Sequence, residues 1–379
     1  MPEQIMPLMQ VLVEIPDFRC GRGKRHPLSA ILGMACAAIL CGYRSYGAIA
    51  EWGRNYGWAF TRALGFTRAD TPCAATLHTV LKRIDVMQLE AKLQAWVESV
   101  YAALPAAPGE LEGIAGDGKV LRGSRKQGAP GAHVLSLLGH RLGLTFVQQG
   151  VPDDTNEIPV MHHVLHNLIL AGRVVTADAQ HTQPPIAQAI LDAGGDYVMP
   201  VKKNQPQVYE DVATLFQESR VVADTLTDAQ QTDFGHGRTT ARRLTASTAL
   251  VGYTDWPGVQ QVFRLERQVT TKKSGKRRRE VVYGITSLPP ERADAEALLQ
   301  LSRQHWHIEN KSHWVRDVTL DEDRSQVRCG HIPHVMATLR NVAIGLMRLN
   351  GETNIAAACR RFAAQPWQAL ALLGVYPDN

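Results

Sequence analysis

Three acidic residues stand where divalent cations can be held beside a phosphodiester. Asp117 follows a short apolar run, Ile114-Ala115, and is flanked by Gly116 and Gly118. Asp178 closes a second, stronger run, Val174-Val175-Thr176-Ala177. Glu309 lies in a stretch with helical character, His305-Trp306-His307-Ile308-Glu309-Asn310. Two-metal phosphoryl transfer needs several acids around ions about 3.5–4 Å apart, one ion serving the attacking oxygen and the other the leaving oxygen. Mg²⁺ takes oxygen ligands and keeps part of its water, so few carboxylates suffice. Adjacent parallel strands that end in Asp offer two of them side by side, and a helix across that edge offers a third. Taken singly, Asp117 also suits a Gly-flanked turn, and Asp178 also suits the N-cap of a following helix. Asp153 and Asp154 read as turn residues.

On an α-helix, positions four apart share a face. His305, Glu309 and His313 therefore line up, with Arg316 close to the stripe and Ser302 one turn before it. Trp306 and Trp314 flank the stripe and are expected to bury the helix. Such a stripe faces either a site or solvent. The His-x3-Glu-x3-His spacing also suits a transition metal, although it lacks the His-Glu-x-x-His order of zinc proteases. A zinc hydrolase is therefore an alternative. Asp317, Asp321, Glu322 and Asp323, beside Arg324, form a second acidic cluster, suited either to a metal ligand or to a solvated turn paired with arginines.

Cations are concentrated in RQVTTKKSGKRRR, residues 267–279. Lys272, Lys273, Lys276, Arg277, Arg278 and Arg279 surround Ser274-Gly275, which reads as a hairpin tip. A tip of this kind binds phosphates without reading base sequence. Lys202, Lys203, Asn204 and Gln205 follow directly on an apolar run. They share a sheet edge with Asp178 if the two strands are neighbours, and Lys203 and Gln205 can then hold a phosphate or a base. Arg238, in His236-Gly237-Arg238, is a further candidate DNA contact.

The 379 residues exceed one typical core. A formal net charge of +5 is mildly basic, which suits a nucleic-acid partner without requiring one. The six cysteines contain no C-x2-C pair, which argues against a zinc ribbon, and their scatter suits reduced thiols. The first residues lack a basic n-region, so no signal peptide is expected. Leu28 to Gly42 is too short to span a bilayer and reads as a buried helix. Residues 1–104 read as a helical N-terminal domain. Ser29, Ser45 and Thr71 are its candidate caps, with Pro72 opening a helix. Such helices suit either a helix-turn-helix DNA reader or an ordinary bundle. Residues 105–350 read as an α/β domain: three hairpin-linked strands, then strand–helix alternation, then a β-rich insertion at about 220–290 and a long helical return. Residues 351–379 complete the chain as C-terminal helices.

The segments GIAGDGKVLRGS, VVTADAQHTQ, YVMPVKKNQ, HGR and HWHIENKSHWVRDVTLDEDRSQVR run in order from about 111 to 328, and TPCAATLHTVLKRID precedes them. On these motifs the chain resembles ISAs1-family insertion-sequence transposases, IS4-related DDE transposases that include the H-repeat-associated proteins. The resemblance implies an RNase H-like catalytic core with Asp117, Asp178 and Glu309 as catalytic residues that bind two Mg²⁺ or Mn²⁺ ions. It implies hydrolytic cleavage at the element end, then attack of the freed 3′-OH on target DNA. The implied partners are double-stranded DNA, both terminal repeats and target, and a second copy of the chain in a synaptic complex. The implied location is the bacterial cytoplasm, with the nucleoid. In the wider group the Glu lies in Tyr-x2-Arg-x3-Glu-x6-Lys. The equivalent positions here are Ser302, His305, Glu309 and Arg316, so the Tyr and Arg are replaced and the Lys becomes Arg. His305 and Arg316 are candidate end contacts. Thr239 follows HGR where the family has an acid. The same residues also suit a nuclease of this fold without strand transfer, or a silent DNA-binding descendant.

Overall fold

The computed structural model describes residues 4–21, 24–126, 130–217, 226–235 and 237–376. Six helices come first: α1 (Leu8–Val13), α2 (Leu28–Leu40), α3 (Tyr46–Arg54), α4 (Trp58–Ala63), α5 (Ala74–Arg83) and α6 (Val86–Ala103). Ser45 caps α3 by accepting the Ala48 N–H at 3.1 Å, and Asp85 caps α6 through the Gln88 N–H at 3.1 Å. Two expected starts are corrected. α2 begins at Leu28, directly after Pro27. α5 begins at Ala74, because Cys73 is still extended. α2 is buried along its whole length but for Ser29, as an apolar stretch too short for a membrane should be.

The chain continues through β1 (Glu112–Val120), β2 (His133–Gly139), β3 (Thr145–Val151), α7 (Glu157–His166), β4 (Arg173–Ala177), α8 (Pro184–Asp192), β5 (Asp196–Val201) and α9 (Pro206–Gln217). Next come β6 (Leu226–Gly235), β7 (Arg238–Ser247), β8 (Gln261–Thr271), β9 (Arg277–Thr286) and α10 (Ala295–Gln304). Two π-helical turns, Ile308–His313 and Val315–Thr319, lead to α11 (Ile332–Leu349), α12 (Ile355–Ala364) and α13 (Pro366–Leu372).

Two compact units are distinguished. One holds the described residues up to Pro105, residues 118–155 and those from Ile308 onward; the other holds Ala106–Asp117 and Asn156–His307. β1 passes from the second to the first between Asp117 and Gly118.

In the second unit the strand order is β1-β4-β5-β9-β8-β7-β6. β1, β4 and β5 run parallel, with α8 as the crossover between the last two, whereas β9, β8, β7 and β6 are antiparallel to their neighbours. The β-rich segment is therefore a continuation of the sheet through β9 on β5. Its first strand, β6, has no apolar alternation and no sequence signal, because LTDAQQTDFG is exposed almost throughout. α10 packs on the sheet, and Leu298, Leu299 and Leu301 join Val174, Val198, Leu244 and Phe263 in one core.

In the first unit the order is β3-β2-β1, with β2 and β3 antiparallel. The orders 3-2-1 and 1-4-5, read along the chain, are those of an RNase H-like mixed sheet. The N-terminal helices do not stand apart: α2 packs on α11, α12 and α13, and α11 also packs on β3 and α6.

The interior of this unit contains charge. Glu322 is 2% exposed and accepts from Arg316 Nε at 2.9 Å and from Arg340 Nη1 at 2.9 Å, both arginines being buried. Asp321, in the left-handed region at φ 57°, turns the chain so that Glu322 faces back into the interior. Gln148 accepts from Asn341 at 2.8 Å and from Arg316 at 3.4 Å, and donates to Thr338 at 2.9 Å. Removing one member of a buried ion set strands the others. Glu322→Leu is expected to destabilise the chain by about 3–5 kcal/mol in urea unfolding, and a loss below about 1 kcal/mol would show that the arginines find other partners.

Candidate active site

The register of β1 on β4 pairs Gly116 with Ala177. Asp117 and Asp178 are therefore the next residues on two parallel neighbours. Both strands are buried up to this point: Ile114, Ala115, Val174 and Val175 are all 0% exposed.

Asp178 opens the turn after β4. Its Oδ1 accepts the backbone N–H groups of Gln180 at 3.0 Å and His181 at 3.1 Å, and the His181 Nδ1 at 2.8 Å. This is an Asx turn. α8 starts only at Pro184 with Gln183 at its cap, so Asp178 is not that helix's N-cap. His181 is fully buried, and its Nε2 lies 3.1 Å from Glu157 Oε2 in the first turn of α7. Burial alone would lower the His181 pKa, but the two carboxylates outweigh it and raise it to about 9. Burial likewise pushes Asp178 up, and His181 more than offsets this, holding the carboxyl below its ordinary value.

The loop is braced from β5. Thr182 Oγ1 donates to Pro200 O at 2.7 Å, and Asn204 Nδ2 donates to Ala179 O at 2.7 Å. Gln205 Nε2 donates to Thr182 O at 3.2 Å and Gln183 Oε1 at 2.9 Å. This corrects the expectation for Gln205, whose amide is committed within the protein. Lys202 and Lys203 are exposed just past β5, at the edge where β4 also ends. His305 is half-buried, with Nδ1 at 3.2 Å from Thr176 Oγ1 on β4. Burial lowers its pKa to about 4, so the ring is neutral at pH 7.

In the other unit, Glu309 Oε2 lies 3.3 Å from His313 Nδ1. This pairing holds the Glu309 pKa below its ordinary value against an opposing contribution from burial. The α-helical stripe expected here is corrected, because α10 stops at Gln304 and the following turns are π-helical. Trp306 and Trp314, expected to bury the segment, are 60% and 53% exposed. The buried face is instead Ile308, Ser312, His313, Val315 and Arg316. Arg316 is thus not on a DNA-facing stripe but fully enclosed with Glu322. Glu322, a candidate ligand by sequence, is correspondingly occupied. Asp317 receives Lys119 Nζ at 2.5 Å, and Lys119 is also 4.0 Å from Asp323.

His181, Glu157 and Lys119 were not singled out by sequence reasoning. His181 had a local signal, three residues after Asp178; Glu157 had none. At the β8–β9 tip, Lys272, Lys273, Lys276, Arg277 and Arg278 are exposed, whereas Arg279 pairs with Glu266 at 2.7 Å. Arg238 is exposed at the start of β7, after Gly237 at φ 70°; His236 lies outside the described residues. The donors at Asp117, Asp178 and Glu309 are carboxylate oxygens, the type that hard divalent cations take.

Residues 108–346 match the family described as Transposase DDE domain, and residues 9–97 match the domain described as DDE_Tnp_1-associated. The chain belongs to the DDE transposase family, in its IS4-related branch. It is similar to the "H repeat-associated putative transposase YhhI" of Escherichia coli (strain K12), with 27% identity over 357 residues and 91% of each chain covered. The "Putative transposase YncI" of Escherichia coli O157:H7 is 28% identical over 356 residues, covering 91% of this chain and 88% of that protein. Among solved structures, a piggyBac transposase synaptic complex with hairpin DNA matches with a TM-score of 0.39 and 12% identity, over 98% of this chain and 78% of that one.

His305 provides a pH test. Its folded pKa of about 4 lies below the ordinary 6.5, so between these values the unfolded chain binds a proton that the folded chain does not. The stability contribution is complete above pH 6.5 and declines as pH falls toward about 4. Urea midpoints from pH 7 to 4 should fall less steeply in His305→Gln than in the unaltered chain; parallel curves would contradict the assignment.

Proposed function

We propose that this DDE transposase cleaves DNA at the ends of an insertion sequence and joins the freed 3′ ends to target DNA, with Asp117, Asp178 and Glu309 as ligands of Mg²⁺ or Mn²⁺. The observation that carries the reading is the β1–β4 register, whose last pair, Gly116 with Ala177, leaves Asp117 and Asp178 as the next residues on two buried parallel neighbours. Glu309 is tied to this region through the chain: it follows His305 by four residues, and His305 is hydrogen-bonded to Thr176, two residues before Asp178. When bound, two such cations stabilise charge on the attacking and leaving oxygens.

The chain's own residues supply the rest. Asp178 and Glu309, both held below the ordinary carboxylate pKa, stay ionised and ready to ligate at neutral pH. Lys202 and Lys203 hold a phosphate at the edge where β4 and β5 end. The neutral His305 offers a ring nitrogen to the DNA end. Arg238 and the β8–β9 tip bind the duplex backbone, where contacts position without reading sequence. Pairing of two element ends calls for a homodimer. The reaction takes place on cellular DNA in the bacterial cytoplasm, and no described helix is long and apolar enough to cross a membrane.

Asp178→Asn is expected to lower cleavage of a terminal-repeat duplex by ~10³-fold or more, about 4 kcal/mol of transition-state stabilisation, with duplex affinity retained. Full cleavage by this variant would remove the metal-ligand assignment. A precut end with a free 3′-OH should give joined product with target DNA; hydrolysis without joining would make the protein a nuclease instead. Replacing Lys272, Lys273, Arg277 and Arg278 with Ala should weaken duplex binding on all sequences alike. The slope of log affinity against log salt should flatten by roughly 0.9 for each phosphate no longer neutralised. An unchanged slope would place the duplex elsewhere.

A further inference from the structure

We propose that His181 is a positioning residue that fixes the orientation of the Asp178 carboxylate, with Glu157 holding the imidazole from its far side. The inference rests on the reading of Asp178 as a metal ligand. Three donors converge on one oxygen of this side chain: the Gln180 N–H at 3.0 Å, the His181 N–H at 3.1 Å and the His181 Nδ1 at 2.8 Å, all on Oδ1. The carboxylate is nonetheless 44% exposed. Rotation about its χ2 would break all three bonds, so the direction of Oδ2, the oxygen left to meet a cation, is set by what holds Oδ1.

The ring that supplies the third bond is enclosed and lies beside a second carboxylate. It is 0% exposed, its Nε2 is 3.1 Å from Glu157 Oε2, and Glu157 is itself only 13% exposed. Glu157 stands in the first turn of α7, capped by Asn156 at 3.0 Å on the Ile158 N–H. The loop that carries Asp178 and His181 is pinned to β5 and the residues after it through Thr182 and Asn204. Carboxylate, imidazole and carboxylate thus form a line from a helix to a strand end, with one oxygen of the last member projecting. Partners of this kind, one step behind a ligand, typically change metal affinity by about 10–100-fold when removed.

A histidine that only fills the core would require volume at this position; a positioning histidine requires an N–H at the place of Nδ1. Asn puts its amide nitrogen near the Nδ1 position, and Gln puts it near Nε2. Mn²⁺ binding to the full chain, followed by electron paramagnetic resonance with circular dichroism as the fold control, separates the two. We expect His181→Leu to weaken Mn²⁺ binding by about 10–100-fold, His181→Asn to stay within about 3-fold of the unaltered chain, and His181→Gln to resemble Leu. Should His181→Leu fail to fold, the Asn and Gln variants decide. Equal Mn²⁺ affinity in Asn and Gln, or unaltered affinity in a folded Leu variant, overturns the positioning role. If in that case Asp178→Asn still weakens binding, the metal-ligand reading survives. If the unaltered chain binds no Mn²⁺, or Asp178→Asn leaves binding intact, both readings fall.

Discussion

The parallel pairing of β1 with β4 is the constraint on which the candidate site depends. Both strands are covered on both faces, with Ile114, Ala115, Val174 and Val175 fully buried. In the two runs that lead to the acids, Ile114-Ala115 and Val174-Val175-Thr176-Ala177, the side chains are apolar or small. A carboxylate at Asp117 or Asp178 is tolerated because each sits at the first position where water and ions can reach. The register then does the rest. Side chains alternate with period two, so a slip by one residue would send one of the two acids to the opposite face. The apolar runs and the acids that end them are therefore one device: the runs set the depth of the strands, and the depth sets where charge can begin.

The two units handle buried charge in opposite ways. In one, an anion lies between cations: Glu322 is enclosed by Arg316 and Arg340. Burial raises the Glu322 pKa, and the two guanidinium groups outweigh it, so the group stays ionised. In the other, a cation lies between anions: His181 is held between Asp178 and Glu157. The first set is closed, with all three residues at most 2% exposed, and it gives nothing to a ligand. The second is open at one end, where Asp178 reaches solvent. A buried ion set of the first kind is weak evidence for stability over an apolar alternative. Its consequence here is geometric, because it fixes the turn after the π-helical segment that carries Glu309.

Much of this architecture was legible in the residues, and the exceptions share a cause. Short apolar runs located β1, β4 and β5 to within a residue or two, because burial on both faces leaves an unbroken apolar signature. The strand at Leu226–Gly235 was invisible, since its residues are polar and mostly exposed and it is held by ladder bonds to β7. The faces of the Glu309 segment were not legible because helical periodicity presumes 3.6 residues per turn. In the π-helical turns the faces rotate and Arg316 moves inside, whereas Trp306 and Trp314, just outside those turns, are exposed. Partner identity at long range was not legible either. Nothing near Arg316 in sequence indicates Arg340, and nothing near His181 indicates Glu157, because tertiary packing alone brings them together.

The distribution of arginine and lysine bears on where a duplex can lie. Along the body of the β6–β9 segment the arginines are neutralised within the protein: Arg242 pairs with Asp233 at 2.5 Å, Arg243 with Asp228 at 2.8 Å and Arg264 with Glu266 at 3.0 Å. At the β8–β9 tip this pattern stops. Among the described residues, Lys273, Lys276, Arg277 and Arg278 form no ion pair, and Lys272 lies over the exposed Phe234 ring at 5.9 Å. A paired arginine offers a phosphate little, since its own carboxylate must first be displaced. An unpaired one releases only counterions and water on binding. The tip's charge is thus available in a way the body's is not. The same reasoning separates Arg279, tied to Glu266, from its two neighbours.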